Sequence, residues 1–175
     1  QLEWMKSNGG VVQTVAFSSY VNSEKHIAYS SALSKKVENL AREREMEMMS
    51  RDKIRKLEAA DREIYVKQYR VMSKEAAKSM NESDPKPVDV ADYVDHIDYL
   101  VEKIGLDHVG ISSDFDGGGG IYGWNDASET LNVTAELLKR GYSEDEISQL
   151  WSGNLLRVLD RVEEVAKKLQ TKGKV

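Results

Sequence analysis

Ten residues, His108-Val109-Gly110-Ile111-Ser112-Ser113-Asp114-Phe115-Asp116-Gly117, constrain what this chain can fold into more than any others. Val109 and Ile111 are β-branched, and small residues lie between and after them, as in a short buried strand. Two carboxylates then stand where the strand must stop. Gly117 to Gly120 release the backbone into a loop. An apolar strand that delivers an acid to a glycine loop is how α/β proteins present a reactive group, because ligands bind at the carboxyl ends of parallel strands.

A second unit of the same kind precedes it. Leu2, Trp4 and Met5 read as the tail of a helix, and Asn8-Gly9-Gly10 as its left-handed stop. Val11 to Phe17 is a strand apolar on both faces, as a covered parallel strand should be, and Ser18 to Asn22 reads as a loop. Val90 to Ile104 is an amphipathic helix ended by Gly105, with the His108–Gly117 stretch following it. Helix, strand, loop therefore occurs twice, which predicts an α/β fold with parallel strands. Only two such strands are visible. Two parallel strands with bare edges cannot stand alone, and the chain begins at Gln1 rather than Met. Residues 1–175 are therefore expected to be the carboxyl-terminal part of a larger α/β domain.

Between the two units, residues 33–80 contain no proline or glycine. Leu33, Val37 and Leu40 fall at helical spacing, and Ile54, Leu57, Ile64, Tyr69, Met72 and Ala76 continue it less regularly. Ser50 is a candidate cap for a second helix and Ser73 for a third, short one. The expected element is an inserted helical arm with one apolar stripe, not a coiled coil, because the heptads are not sustained. Asn81 to Asp89, with both prolines, is a linker.

After the glycine loop, Asp126 to Glu129 and Ser143 to Glu146 read as two capping boxes. The first opens a helix stopped by Gly141. The second opens a last helix whose Ile147, Leu150, Trp151, Leu155, Val158, Leu159 and Val162 share a face, and Lys167 to Val175 is expected to fray.

Charge divides the chain. Ser34 to Met80 holds 13 Lys/Arg and 9 Asp/Glu, a net of +4, whereas the rest holds 12 and 21, a net of −9. A mixed-sign helical segment is a solvated face, so nucleic acid is not an expected partner. No apolar run is long enough for a membrane span. With no cysteine, disulfides and thiolate metal sites are excluded.

The chemistry-bearing candidates are few. Asp114 is the carboxylate held at the strand end, where partial burial would move its pKa to useful values. Asp116, beside Gly117, reads instead as a loop-capping residue. The glycine run lacks a P-loop ending and a dinucleotide fingerprint, and the Asp-Phe-Asp-Gly segment lacks the calcium-loop spacing. His26, His96 and His108 are scattered. His96 and Asp98 diverge by about 200° around a helix and cannot share a metal, so each histidine reads as structural and no metal ligand is assigned.

The His108–Gly117 stretch resembles the strand-eight signature of the zinc-dependent membrane (renal) dipeptidase family, peptidase family M19. Three other stretches agree. Val90-Ala-Asp-Tyr-Val-Asp-His96-Ile resembles the helix before that strand, Asn8 to Phe17 the preceding strand, and Ser152-Gly-Asn154-Leu-Leu-Arg157-Val the closing helix. Order and spacing fit across residues 1–30 and 85–166, and the arm is extra relative to short members. Gly117 to Gly120 with Gly123-Trp124-Asn125-Asp126 resembles a bacterial branch.

The resemblance implies a (β/α)8 barrel of TIM type, with its last two strands and their helices here. It implies hydrolysis of a dipeptide by an enzyme with two zinc ions, whose ligands lie on strands upstream of Gln1. It implies that Asp114 takes the proton of a bridging water and passes it to the leaving amine, or holds the substrate's free amine. Asn154 and Arg157 are expected to brace the closing helix. The partners implied are a dipeptide, the upstream part of the barrel, and a second copy in a homodimer. An exported or periplasmic site is the corresponding expectation for localisation. The competing expectation is a non-catalytic barrel homologue or scaffold that binds partners through its arm.

Overall fold

The structure is a computed structural model that describes residues 1–172. In chain order its elements are α1 (Leu2–Asn8), β1 (Val12–Val15), α2 (Ser18–Val21), α3 (Ser23–Glu43), α4 (Arg51–Lys56), α5 (Ala59–Lys78), α6 (Val90–Ile104), β2 (Val109–Ser112), α7 (Thr130–Lys139), α8 (Glu144–Ser148) and α9 (Asn154–Lys172). The fold is mixed α/β and mostly helical. It divides into two compact units, Gln1–Ser23 with Val88–Val175, and Glu24–Pro87.

In the first unit β1 and β2 pair in parallel, in the register Val12↔Val109 to Val15↔Ser112. The parallel pair expected from the two apolar runs is therefore present. The first strand is shorter than the run Val11 to Phe17, and Phe17 reappears as a single parallel bridge to Gly120. The segment expected as a loop after it is a short helix, α2, in which Val21 N–H bonds back to the Phe17 carbonyl.

Helix α6 is the cover for this sheet. Asp89 caps it, accepting from Ala91 and Asp92 N–H while the Asp92 carboxylate accepts from Asp89 N–H. This reciprocal box satisfies amide groups that the first turn leaves without helical partners. Val94, Ile97, Leu100 and Ile104 are buried at helical spacing, and each such burial stabilises by about 2 kcal/mol. Tyr93, on the same face, is fully buried and reaches the strands themselves. Its hydroxyl lies 2.6 Å from Thr14 Oγ1 and 3.3 Å from the carbonyls of Thr14 and Ser112. Ser112 N–H also points at it, at 3.3 Å. Thr14 Oγ1 in turn donates to the Gly110 carbonyl at 2.8 Å. One phenol thus ties both strands together near their carboxyl ends, and burial pushes its pKa up to about 12.

The later helices differ from the sequence reading in detail. The Asp126 carboxylate accepts from Ser128 N–H at 2.8 Å, but Glu129 reaches back to Asn125 N–H rather than to Asp126. The box is shifted by one residue, so a 3₁₀ turn precedes α7. The Ser143–Glu146 box forms as expected. The last helix runs on from the box as expected, with a π turn over Gln149–Gly153 between α8 and α9 and helical backbone on both sides of it. Ile147 and Leu150 are buried, yet beyond the turn the apolar stripe faces solvent. Leu155 is 50% exposed, Val162 59% and Leu169 65%. The tail expected to fray from Lys167 is helical through Lys172, and its end at 173–175 lies outside the described residues.

Asn154 and Arg157 brace α9 as expected. The buried Asn154 amide donates to the Leu106 and Val109 carbonyls at 2.7 and 2.9 Å. Arg157 donates to the Gly9 and Asp107 carbonyls at 3.1 and 2.6 Å.

The second unit is a helical hairpin. The arm expected at 33–80 lies within it, but α3 starts ten residues earlier, at Ser23. Ser50 caps α4, accepting from Lys53 N–H at 3.3 Å. Ser73 caps nothing: it lies inside α5, which runs unbroken to Lys78 because the sequence around it offers no stronger stop. Val37 and Ala41 of α3, and Tyr65, Met72 and Ala76 of α5, are the buried apolar residues of these two helices. Lys36 donates to the Ser79 carbonyl at 3.3 Å, and Arg44 pairs with Glu75.

Two substitutions test these ties. Tyr93→Phe should cost about 1–2 kcal/mol in urea unfolding near pH 8. The Tyr93 pKa is raised above the ordinary phenol value, so its contribution is complete below about pH 10 and is lost as pH rises toward 12. The stability gap between parent and Tyr93→Phe should therefore narrow between pH 10 and 12, and a gap independent of pH would contradict this role. Asn154→Ala should cost about 2–3 kcal/mol, because it orphans two buried carbonyls. A loss below about 0.5 kcal/mol would show that the amide is not a brace.

Candidate functional site

The carboxyl ends of β1 and β2 are joined by the glycine loop. Gly120 N–H donates to the Ala16 carbonyl at 2.8 Å, and Ser18 Oγ donates to the Gly120 carbonyl at 3.2 Å. Further along, Tyr122 N–H bonds to the Val88 carbonyl at 2.9 Å, and Ile121 and Trp124 close a tight turn on each other. The loop is therefore pinned to the end of the first strand and to the start of the α6 segment.

Behind it runs a chain of aromatic rings. Trp124, fully buried, has its centroid 5.3 Å from Tyr93, 5.5 Å from Phe115 and 5.8 Å from Trp151. The last two meet it edge to face, a favourable arrangement for π systems. The indoles of Trp124 and Trp151 donate to Thr130 and Thr134 hydroxyls at 3.2 and 3.0 Å. Phe115 is thus held inward, while its two acidic neighbours stay outside.

Asp114 sits at the turning point. Its φ of 58° is left-handed, a conformation rare for a residue with a side chain. Its carbonyl accepts from Gly117 and Gly119 N–H, at 3.1 and 2.7 Å. A side chain at Gly119 would collide with the Ser113 and Asp114 carbonyls, and one at Gly117 with the Asp114 carboxylate. Glycine is required at 119 for this turn to close, whereas a side chain at 117 would displace the Asp114 carboxylate. Left-handed backbone in a non-glycine residue costs about 1–3 kcal/mol and collects at functional sites.

The loop amides are satisfied by the main-chain carbonyl of Asp114. Among the described residues neither Asp114 nor Asp116 has a hydrogen-bond or ion-pair partner for its carboxylate, so the Asx-type cap expected for Asp116 is not formed. Both residues are exposed. The partial burial expected for Asp114 is not found: the tight turn swings its side chain out over Gly117 rather than into the sheet.

The histidines are placed apart. His108 lies in a 3₁₀ turn before β2, not at the head of the strand, and its Nδ1–H donates to the Gly10 carbonyl at 2.8 Å. His96 is half-buried on α6, and burial lowers its pKa. Asp98, two residues on, is taken by Arg140 and by the Tyr142 hydroxyl, each at 2.7 Å. His26 lies on α3 in the other unit. Among the described residues no three His, Asp or Glu side chains converge to hold a metal.

Tyr93, Thr14 and Trp124 support this end of the sheet and were not singled out as such by the sequence. Tyr93 is one position in an apolar helical stripe, and its hydroxyl partners come from residues 19 and 79 positions away. The only available signal was a phenol on a face that otherwise carries aliphatic side chains.

The family model described as membrane dipeptidase (peptidase family M19) matches residues 1–173. Dipeptidase ataJ of Aspergillus terreus is 43% identical over 95 residues, which are 54% of this chain and 23% of that protein. Dipeptidase tcpJ of Claviceps purpurea is 39% identical over 88 residues, 50% of this chain and 21% of that protein. Among solved structures, the probable dipeptidase PvdM from Pseudomonas aeruginosa matches with a TM-score of 0.54 and 36% identity, covering 89% of this chain and 38% of that one. The matched regions thus span roughly a fifth of the length of the first two relatives and under two fifths of the third. The chain belongs to the membrane dipeptidase family, peptidase family M19.

Proposed function

We propose that this chain is the carboxyl-terminal part of a dipeptide-hydrolysing enzyme and supplies one of its working carboxylates, Asp114. The observation that carries the proposal is the turn at residue 114. A strained, left-handed aspartate ends a parallel strand, its main chain is gripped by two glycine amides, and its carboxylate is left without a partner. A structural aspartate at such a turn would spend its carboxylate on the loop amides. Here the carbonyl does that work, and the carboxylate is held ready for something else. Family membership supports peptide hydrolysis as that use.

Two roles suit an unpartnered carboxylate at the carboxyl end of a parallel strand. It can hold the ammonium group of a dipeptide through a charge-assisted hydrogen bond. It can also accept a proton from an attacking water and return it to the leaving amine. The zinc ions that membership implies find no ligand set among the described residues, and neither role of Asp114 depends on a metal held by this chain. In this reading the complete enzyme takes its metal ligands from residues upstream of this chain.

The same reading assigns the first unit to the last two strands and helices of a (β/α)8 barrel, with residues 33–80 as an inserted arm. The bare outer edges of a two-stranded parallel sheet and the solvent-facing apolar stripe of α9 support it. Both are surfaces that further strands and helices of one domain would cover.

In the complete enzyme, Asp114→Asn should lower kcat/KM for an unblocked dipeptide by about 100-fold or more, whereas Asp116→Asn should lower it less than about tenfold. If Asp114 holds the amine, acetylating the dipeptide's amino terminus should weaken the parent enzyme strongly and the variant little. Equal losses for the two aspartates, or full activity in Asp114→Asn, would overturn the assignment.

A further inference from the structure

We propose that the helical unit Glu24–Pro87 carries a docking groove for an acidic, amphipathic segment of another protein. The groove lies where α3 ends against α5 and encloses about 540 Å³. Met46, Val71 and Met72 give it an apolar lining, and Arg44 and Lys67 stand at its rim with Gln68 and Glu45.

The local backbone aims one of these residues. Helix α3 ends with Glu45 in the left-handed conformation, φ 53°. Glu45 N–H bonds to the Arg42 carbonyl and Met46 N–H to the Ala41 carbonyl, at 3.2 and 2.9 Å. This is the paired bonding of a helix stop that normally uses glycine. It folds Met46 back toward the helix instead of letting it run on with the chain. Methionine is the most adaptable of apolar side chains and suits a surface that must fit a partner.

The groove opens onto a cationic strip. Arg62, Val66, Arg70 and Lys74 follow one another at four-residue steps on α5, with Lys67 beside them and Glu63 as the acid among them. Residues so spaced share one face, and at 1.5 Å per residue the strip runs about 18 Å. Arg44 is paired with Glu75, but Arg62, Lys67, Arg70 and Lys74 have no carboxylate partner among the described residues. Lys67 and Val71 line both the strip and the groove, so the two form one continuous surface.

Its chemistry selects the occupant. Four unpaired cations call for a row of carboxylates, and the strip is longer than a small anion. The methionine-lined groove beside it calls for apolar anchors, which a nucleic-acid backbone lacks. An acidic helix with leucine or phenylalanine at helical spacing meets both demands, docking its apolar side in the groove and its acids on the strip. The charge balance fits: the unit holds 15 Lys/Arg and 12 Asp/Glu, a net of +3, in a chain whose remainder holds 10 and 18, a net of −8.

The test is fluorescence anisotropy of the full chain with a labelled synthetic helix carrying Glu at four-residue spacing and Leu and Phe on the adjoining face. The expected result is saturable binding that weakens at least tenfold when Gln replaces Glu in the peptide, weakens with salt, and falls at least tenfold in K67E/R70E/K74E. A milder variant, K67Q/K74Q, confined to exposed side chains, should lose at least threefold with unchanged helix content by circular dichroism. Val71→Ala, which adds no charge, should weaken binding without changing its salt dependence. The proposal is overturned by absence of saturation at about 1 mM peptide, by equal affinity for the Gln peptide, or by equal affinity for a single-stranded oligonucleotide. It is also overturned if sedimentation shows the unmodified chain dimerising through this strip, which would make a second copy the occupant.

Discussion

Everything in the first unit depends on the parallel pairing of Val12–Val15 with Val109–Ser112. Parallel strands cannot be closed by a tight turn, so their register has to come from what packs on them. Here much of that register is carried by a hydrogen-bonded knot: Tyr93 on α6 holds Thr14 of one strand and Ser112 of the other. The knot lies at the carboxyl ends of the strands, two residues before Asp114. The two strands are therefore cross-tied next to the left-handed turn at Asp114. At the opposite end Asn154, Arg157 and His108 clamp the strand entrances through main-chain carbonyls.

Much of this was legible in the residues. The two apolar strands, the amphipathic α6 and the Ser143 box follow from period and capping chemistry, because each is decided within a few positions. Other features were not legible because distant residues decide them. The sequence offers four consecutive glycines for the turn after β2, yet Asp114 itself takes the left-handed conformation, since Gly119 must let its backbone close onto the Asp114 carbonyl. The π turn at Gln149–Gly153 carries no pattern distinct from a helix. The stripe on α9 was visible in the sequence, but a period cannot say whether a stripe is covered, and here it faces solvent.

The two units answer to different physics. The first is organised by apolar burial and carries its acid on strained, glycine-dependent backbone. The second is a charged hairpin with few buried apolar residues, and its distinguishing surface is a groove that meets a row of cations. The family model spans both, matching residues 1–173. This division explains why the formal charge of −5 describes neither part well.

The central claim is that the Asp114 carboxylate is left free in order to meet a substrate. It is tested most directly by a crystal structure of the complete enzyme with a non-hydrolysable dipeptide analogue. The account predicts an Asp114 carboxylate oxygen about 2.6–3.2 Å from the ligand's amine or from the water poised at its scissile group, with β1 and β2 still parallel. A ligand bound with its polar atoms elsewhere, and the Asp114 side chain pointing into solvent, would contradict it.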